Sequence, residues 1–118
     1  MNIIVDKPQL VKVVKLYLTK SFGNLTLKTS KDYPYSVFYV NYNNKILMRY
    51  DEKTEKIWID SGQIWSKLIS LFYLNYGDIQ LIIKDWLEEH YGLSGVIPIQ
   101  SASFSHAVLD EHYKSSNL

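Results

Sequence analysis

No cysteine occurs among the 118 residues, which excludes a disulfide framework, a thiolate zinc site and a cysteine nucleophile together. Glycine is scarce, with five residues. Gly77, Gly92 and Gly95 form neither a P-loop nor a dinucleotide-binding fingerprint, so nucleotide hydrolysis and nicotinamide chemistry find no support. Long apolar runs are missing as well. Stretches such as Ile3-Ile4-Val5 and Leu81-Ile82-Ile83 fall far short of the about 20 residues that cross a bilayer. Met1-Asn2 leads through three apolar residues into Asp6-Lys7-Pro8, without the charged start and longer apolar centre of a secretory signal. The expectation is a cytoplasmic protein, in the host cytoplasm if phage-encoded, that does not engage a membrane.

What is present is an ordinary globular balance, 47% hydrophobic and 21% charged residues, far from the profile of a disordered chain. The length fits one domain over residues 1–118, with a core in 1–92 and a tail, 93–118, docked in part. Net charge is only +1, yet it is unevenly spread. Residues 1–50 carry eight cations against two anions, and residues 51–118 carry five cations against ten anions. The sequence is electrically dipolar, and packing decides whether the folded surface is too.

The order of elements reads as α+β: an N-terminal helix, an antiparallel meander of about four strands, two helices, then an extended C-terminal tail. Asp6-Lys7-Pro8-Gln9 has the form of a capping box with proline in the first turn. From there Leu10, Val11, Val13, Val14, Tyr17, Leu18 and Phe22 form one helical face over 7–22, and Gly23-Asn24 supplies the stop. Alternation of period two follows from Leu25, Tyr35–Tyr42 is rich in β-branched and aromatic residues, Lys45–Tyr50 reads as its partner strand, and Lys56–Asp60 completes the meander. Asn43-Asn44 suits a hairpin turn. Asp60-Ser61-Gly62-Gln63 caps a second helix with Ile64, Trp65, Leu68, Ile69, Leu71 and Phe72 inward. Asn75-Tyr76-Gly77-Asp78 caps a third, with Ile79, Ile82, Ile83, Trp86, Leu87 and His90 inward and Gly92 at its end. Val96-Ile97-Pro98-Ile99 suits an edge segment, and Ser105–Tyr113 a short helix.

Catalytic chemistry finds no foothold. His90, His106 and His112 stand near carboxylates but show no fixed-geometry motif such as HExxH, and no G-x-S-x-G elbow is present. No cofactor and no metal site is expected, and the chain reads as a binding protein, not an enzyme. The sheet offers surfaces. Tyr35, Val37 and Tyr39 point to one side and Phe38, Val40 and Tyr42 to the other, which leaves no clean polar face. An open face with Tyr35, Tyr39, Lys28, Lys45 and Arg49 would stack bases and neutralise phosphates, or serve as a protein hot spot. Asp78, Asp85, Glu88 and Glu89 make the outer side of the third helix acidic, suited to a basic partner groove. Helices two and three have the order of a helix-turn-helix, but an acidic recognition helix would be repelled by phosphate. A double-stranded-RNA-binding domain would begin its last helix with lysines, where this chain has Gly77-Asp78-Ile79-Gln80.

The run Ile64-Trp65-Ser66-Lys67-Leu68 through Asp85-Trp86-Leu87-Glu88-Glu89-His90-Tyr91-Gly92-Leu93 resembles small uncharacterised proteins encoded by phages and mobile elements of low-GC bacteria. In element order the chain is also similar to some anti-CRISPR proteins, which occupy nucleic-acid or partner surfaces of CRISPR nucleases. The resemblance implies an accessory protein that binds, and inhibits, a host or defence protein. An acidic mimic of DNA would carry strong negative charge, so mimicry here would be confined to the acidic half. Two other readings stand beside it: a nucleic-acid-binding module using Lys28, Lys45, Arg49, Tyr35 and Tyr39, and a structural subunit that homodimerises through a sheet face or edge.

Overall fold

The structure is a computed structural model, and it describes residues 7–101. Asp6 of the capping box, His106, His112 and the helix expected over Ser105–Tyr113 lie outside the described residues. The fold is α+β. Helix α1 spans Lys7–Phe22, followed by strands β1 (Thr26–Ser30), β2 (Tyr33–Val40), β3 (Ile46–Asp51) and β4 (Lys56–Asp60). A π-turn over Ser61–Trp65 runs directly into helix α2 (Ser66–Phe72), and α3 (Tyr76–Tyr91) leads to strand β5 (Ile97–Ser101).

The five strands lie in sequence order, antiparallel except for β5, which runs parallel to β4. The segment expected at the edge is therefore a strand of the sheet, and the ordered core extends past residue 92, with Val96 fully buried. A parallel neighbour needs a long crossover, and α2 and α3 supply it. Ile97 N–H donates to Glu55 C=O at 2.9 Å, so the backbone groups of residue 98 point away from β4. Pro98 has no N–H, and its C=O accepts Gln80 Nε2 at 2.9 Å. The outer edge of β5 is thereby blunted against pairing with another strand.

The turns follow from their residues. Asn41 Oδ1 accepts the N–H groups of Asn43 and Lys45, each at 2.9 Å, and Asn44 takes a φ of 65°, a conformation asparagine tolerates. Asp60 Oδ1 accepts Gln63 N–H at 2.7 Å, and Asn75 Oδ1 accepts Asp78 N–H at 2.8 Å. Both expected helix caps are thus formed. Gly92, with a φ of 70°, ends α3.

Register assigns the two faces of the sheet. Leu27, Tyr39, Met48 and Ile59 lie side by side, as do Val37, Tyr50 and Ile57. These rows join Val14, Leu18, Ile64, Trp65, Leu68, Ile79, Ile83 and Leu87 from the helices in one hydrophobic cluster. The other face carries the row Lys28, Phe38, Arg49, Trp58 and Ile99. Phe38 and Val40 are buried there, outside that cluster, so this outer face is no open tyrosine platform.

Three expectations about apolar stripes need correction. Ile69 and Leu71, expected inward, are exposed, because α2 is short and enters through a π-turn whose i→i−5 bond, Ser66 N–H to Ser61 C=O, shifts the phase of the stripe. Val13 is exposed as well, since the part of α1 that meets the core is narrower than its apolar face. His90 is also exposed, at the rim of α3 instead of inside.

Candidate functional site

Helices α1 and α3 pack against each other, and that contact brings the basic half of the sequence against the acidic half. Lys7 Nζ stands 3.1 Å from Asp78 Oδ1, and Lys15 Nζ lies 3.0 Å from both oxygens of Glu89. Glu88 Oε1 accepts Ser94 Oγ at 2.9 Å. Three of the four acidic residues expected to greet a partner thus already hold groups of this chain, and among the described residues Asp85 has no such partner. Two ion pairs thus join the basic and acidic halves of the sequence across the α1–α3 contact. Exposed pairs of this type contribute little stability, about 0 to 1 kcal/mol, but they decide which charges remain available.

The expected sheet residues are only partly brought together. Tyr39 is a correction: it is 3% exposed and faces the helices, its ring edge-on to Tyr91 at 5.1 Å. Alternation places Tyr35 and Tyr39 on the same face, but the first three residues of β2 are exposed and the last five buried, so only Tyr35 reaches solvent. Lys53 Nζ lies 4.2 Å from the centre of its ring. On the outer face Lys28 Nζ donates to Asn44 Oδ1 at 2.8 Å, and the Arg49 guanidinium lies 5.0 Å from the Tyr33 ring centre. Lys45 is exposed beside the hairpin turn. Tyr35 and Arg49 share a cleft of about 190 Å³ with Tyr33, Asp51 and Lys53, whereas Tyr39, Lys28 and Lys45 lie outside it.

A larger groove lies between α1 and α3, about 330 Å³ in volume, lined by Lys12, Lys15, Leu16, Thr19, Trp86, Glu89 and His90. Its floor is rigid. The Trp86 indole donates Nε1–H to Thr19 Oγ1 at 3.0 Å, and the His90 ring stacks on it at 5.4 Å with an interplanar angle of 7°. His90 Nε2 lies 2.8 Å from Gly23 C=O. A carbonyl only accepts, so Nε2 is the donor in this contact. The neighbouring Tyr91 hydroxyl donates to Phe22 C=O and accepts Leu25 N–H at 3.2 Å. Burial pushes this phenol up, against a smaller lowering by the Leu25 N–H. The last turn of α3 therefore clamps the end of α1.

The walls of the groove are different in kind. Leu16 is 69% exposed and neighbours Val13, 48% exposed, one turn back on α1. Among the described residues Lys12 has no ion-pair or hydrogen-bond partner. Lys12, Lys15 and Leu16 all fall outside the apolar face that periodicity assigns to this helix. The available signal was Leu16 itself, an apolar residue about 200° around the helix from Val14 at 100° per residue. Trp86 is in the core as expected, while His90, expected inward, is exposed; one helix alone does not show which flank borders a neighbour.

Among the described residues, no group of three or more His, Asp or Glu is arranged to hold a metal ion, and no helix is long and apolar enough to cross a membrane. Fold and groove together define an α+β protein with a five-stranded sheet, a helical layer and an apolar, cation-rimmed cleft on that layer. No family model matches the chain, and neither a curated protein nor a solved structure does so.

Proposed function

We propose that this chain is a non-enzymatic binding protein, of the accessory kind carried by phages and mobile elements, that captures and inhibits a host or defence protein. The observation that carries the binding part of this reading is the α1–α3 groove. Exposed Leu16 lines it above His90 and the mostly buried Trp86, with exposed Val13 one turn back on the same helix, and exposed apolar surface beside a cleft is the ordinary mark of an interaction site. The source and the inhibitory role rest on the resemblance of the residue 64–93 run alone.

Two other readings draw less support. A nucleic-acid module would use Lys28, Arg49 and the strand tyrosines, yet Lys28 and Arg49 make contacts within the chain and Tyr39 is buried. A homodimer through the β5 edge would have to pair with a strand that lacks one N–H and has one outward C=O already bonded. One experiment separates all three: affinity capture of the tagged protein from lysate, with and without nuclease, together with sedimentation across concentration. A stoichiometric protein retained after nuclease treatment is the expected result. Loss of all retained material on nuclease treatment would replace the proposal with nucleic-acid binding. A mass that doubles with concentration, with nothing captured, would replace it with self-association.

A further inference from the structure

The groove between α1 and α3 also specifies the chemistry of its occupant, an inference that rests on the protein-binding reading above. We propose that it takes an acidic peptide segment of a partner protein, one large apolar side chain seated on Leu16, Trp86 and the His90 ring, with carboxylates reaching Lys12 and Lys20. Three observations point to this chemistry. The volume, about 330 Å³, lies at the lower end of ligand-sized pockets and suits a single anchoring side chain. Its polar rim is biased in sign. Lys15 is already neutralised by Glu89, so among the described residues the unpaired cation lining the groove is Lys12, and Lys20 stands outside the lining, one turn beyond Leu16. Helix α1 holds Lys7, Lys12, Lys15 and Lys20 and no acidic residue. Lys7 and Lys15 are paired with Asp78 and Glu89, so a basic segment would find the lining carboxylate already engaged, whereas an acidic one gains Lys12 in the groove and Lys20 beyond it.

The contact geometry sets the expected sensitivities. Leu16 and Lys12 are exposed and bear on no core residue, so Leu16→Asp and Lys12→Glu leave the fold intact, a point checked by circular dichroism. Loss of an apolar anchor contact and of a charge pair at a protein interface commonly costs tenfold or more in affinity. The test selects binders from a random peptide display library on the immobilised full-length protein. It then measures the enriched peptides, and the protein partner captured from lysate, against both variants. The expected result is enrichment of peptides with one Leu, Phe, Met or Trp flanked by at least two Asp or Glu. Their affinity should drop at least tenfold for either variant, and Lys12→Glu should shift selection towards Lys and Arg. No enrichment, or enrichment without acidic residues, overturns the proposal. Full retention of the lysate partner by both variants also overturns it while leaving protein binding in place, whereas the absence of any captured protein from wild type removes that broader reading too.

Discussion

Replacing Tyr91 with phenylalanine removes one oxygen and nothing else, which makes it a direct test of how α3 holds the end of α1. The hydroxyl donates to Phe22 C=O and accepts Leu25 N–H, two backbone groups on either side of the turn that α1 leaves behind. The ring contacts with Tyr39, Trp86 and His90 would persist in Tyr91→Phe. Each hydrogen bond contributes about 1 kcal/mol net, and a stranded buried partner raises the loss to about 1 to 3 kcal/mol. Both bonds are only part-buried, so water recovers some of this and the expected loss is about 2 kcal/mol. With a urea m-value of about 2 kcal/mol/M, the midpoint should fall by about 1 M. Urea titration followed by tryptophan fluorescence reads this directly, since Trp86 lies 5.5 Å from the Tyr91 ring. A second readout is pH. The folded protein holds the phenolic proton more tightly than the unfolded chain, because burial raises the value above 10.0. Its stability contribution is therefore complete below pH 10 and is lost as pH rises through the folded-state value. Tyr50 is shifted upward too, by burial and then by Glu55, Glu52 and Asp51, but it is common to both proteins and cancels in the difference. Wild type should thus lose more stability than Tyr91→Phe above pH 10. A midpoint change below about 0.25 M, with parallel alkaline profiles, would show that the hydroxyl does not hold the turn.

Gly23→Ala should be among the most damaging single changes at the surface. A Cβ there would lie 2.3 Å from Thr19 C=O and 3.1 Å from His90 Nε2, and the resulting shift should cost about 1 to 3 kcal/mol by thermal or chemical unfolding; a wild-type melting curve would contradict the clamp. Asp60→Ala removes the acceptor for Gln63 N–H and should cost about 0.5 to 2 kcal/mol. Asp60→Asn keeps that acceptor and should retain most of the stability, so equal losses in the two variants would count against a capping role. Glu89→Gln breaks an exposed ion pair and should change stability by less than about 1 kcal/mol, with the difference from wild type shrinking in 1 M salt, a concentration at which the Debye length is about 3 Å. A larger, salt-independent loss would mean that the pair is structurally essential.

Pairing between the two charged halves has consequences for recognition. Lys7 and Lys15 are engaged by Asp78 and Glu89, so neither the basic nor the acidic half presents its full charge outward. A partner that sought the acidic face of α3 would have to compete with lysines held nearby on the same molecule. The cations left over, Lys12 and Lys20, border apolar surface on α1, so steering and anchoring can act at one place.

The sequence by itself determined the local elements. The helix over residues 7–22, the caps at Asp60 and Asn75, the asparagine turn at 43–44 and the stop at Gly92 all follow from short-range chemistry: side-chain acceptors within three residues, or tolerance of positive φ. Alternation likewise gave the correct parity of Tyr35, Val37 and Tyr39. Only the tertiary structure decided what parity means for exposure, because Tyr39 sits beneath the helical layer while Tyr35, on the same face, lies at the exposed end of β2. The place of β5 was also outside local reach, since parallel pairing with β4 joins residues 41 apart across two helices. The groove depends on the relative placement of α1 and α3, whose lining residues are separated by about 70 positions. Periodicity marks which side of one helix is apolar; which flank becomes a wall, and which lysine is left unpaired, depends on the neighbour it packs against.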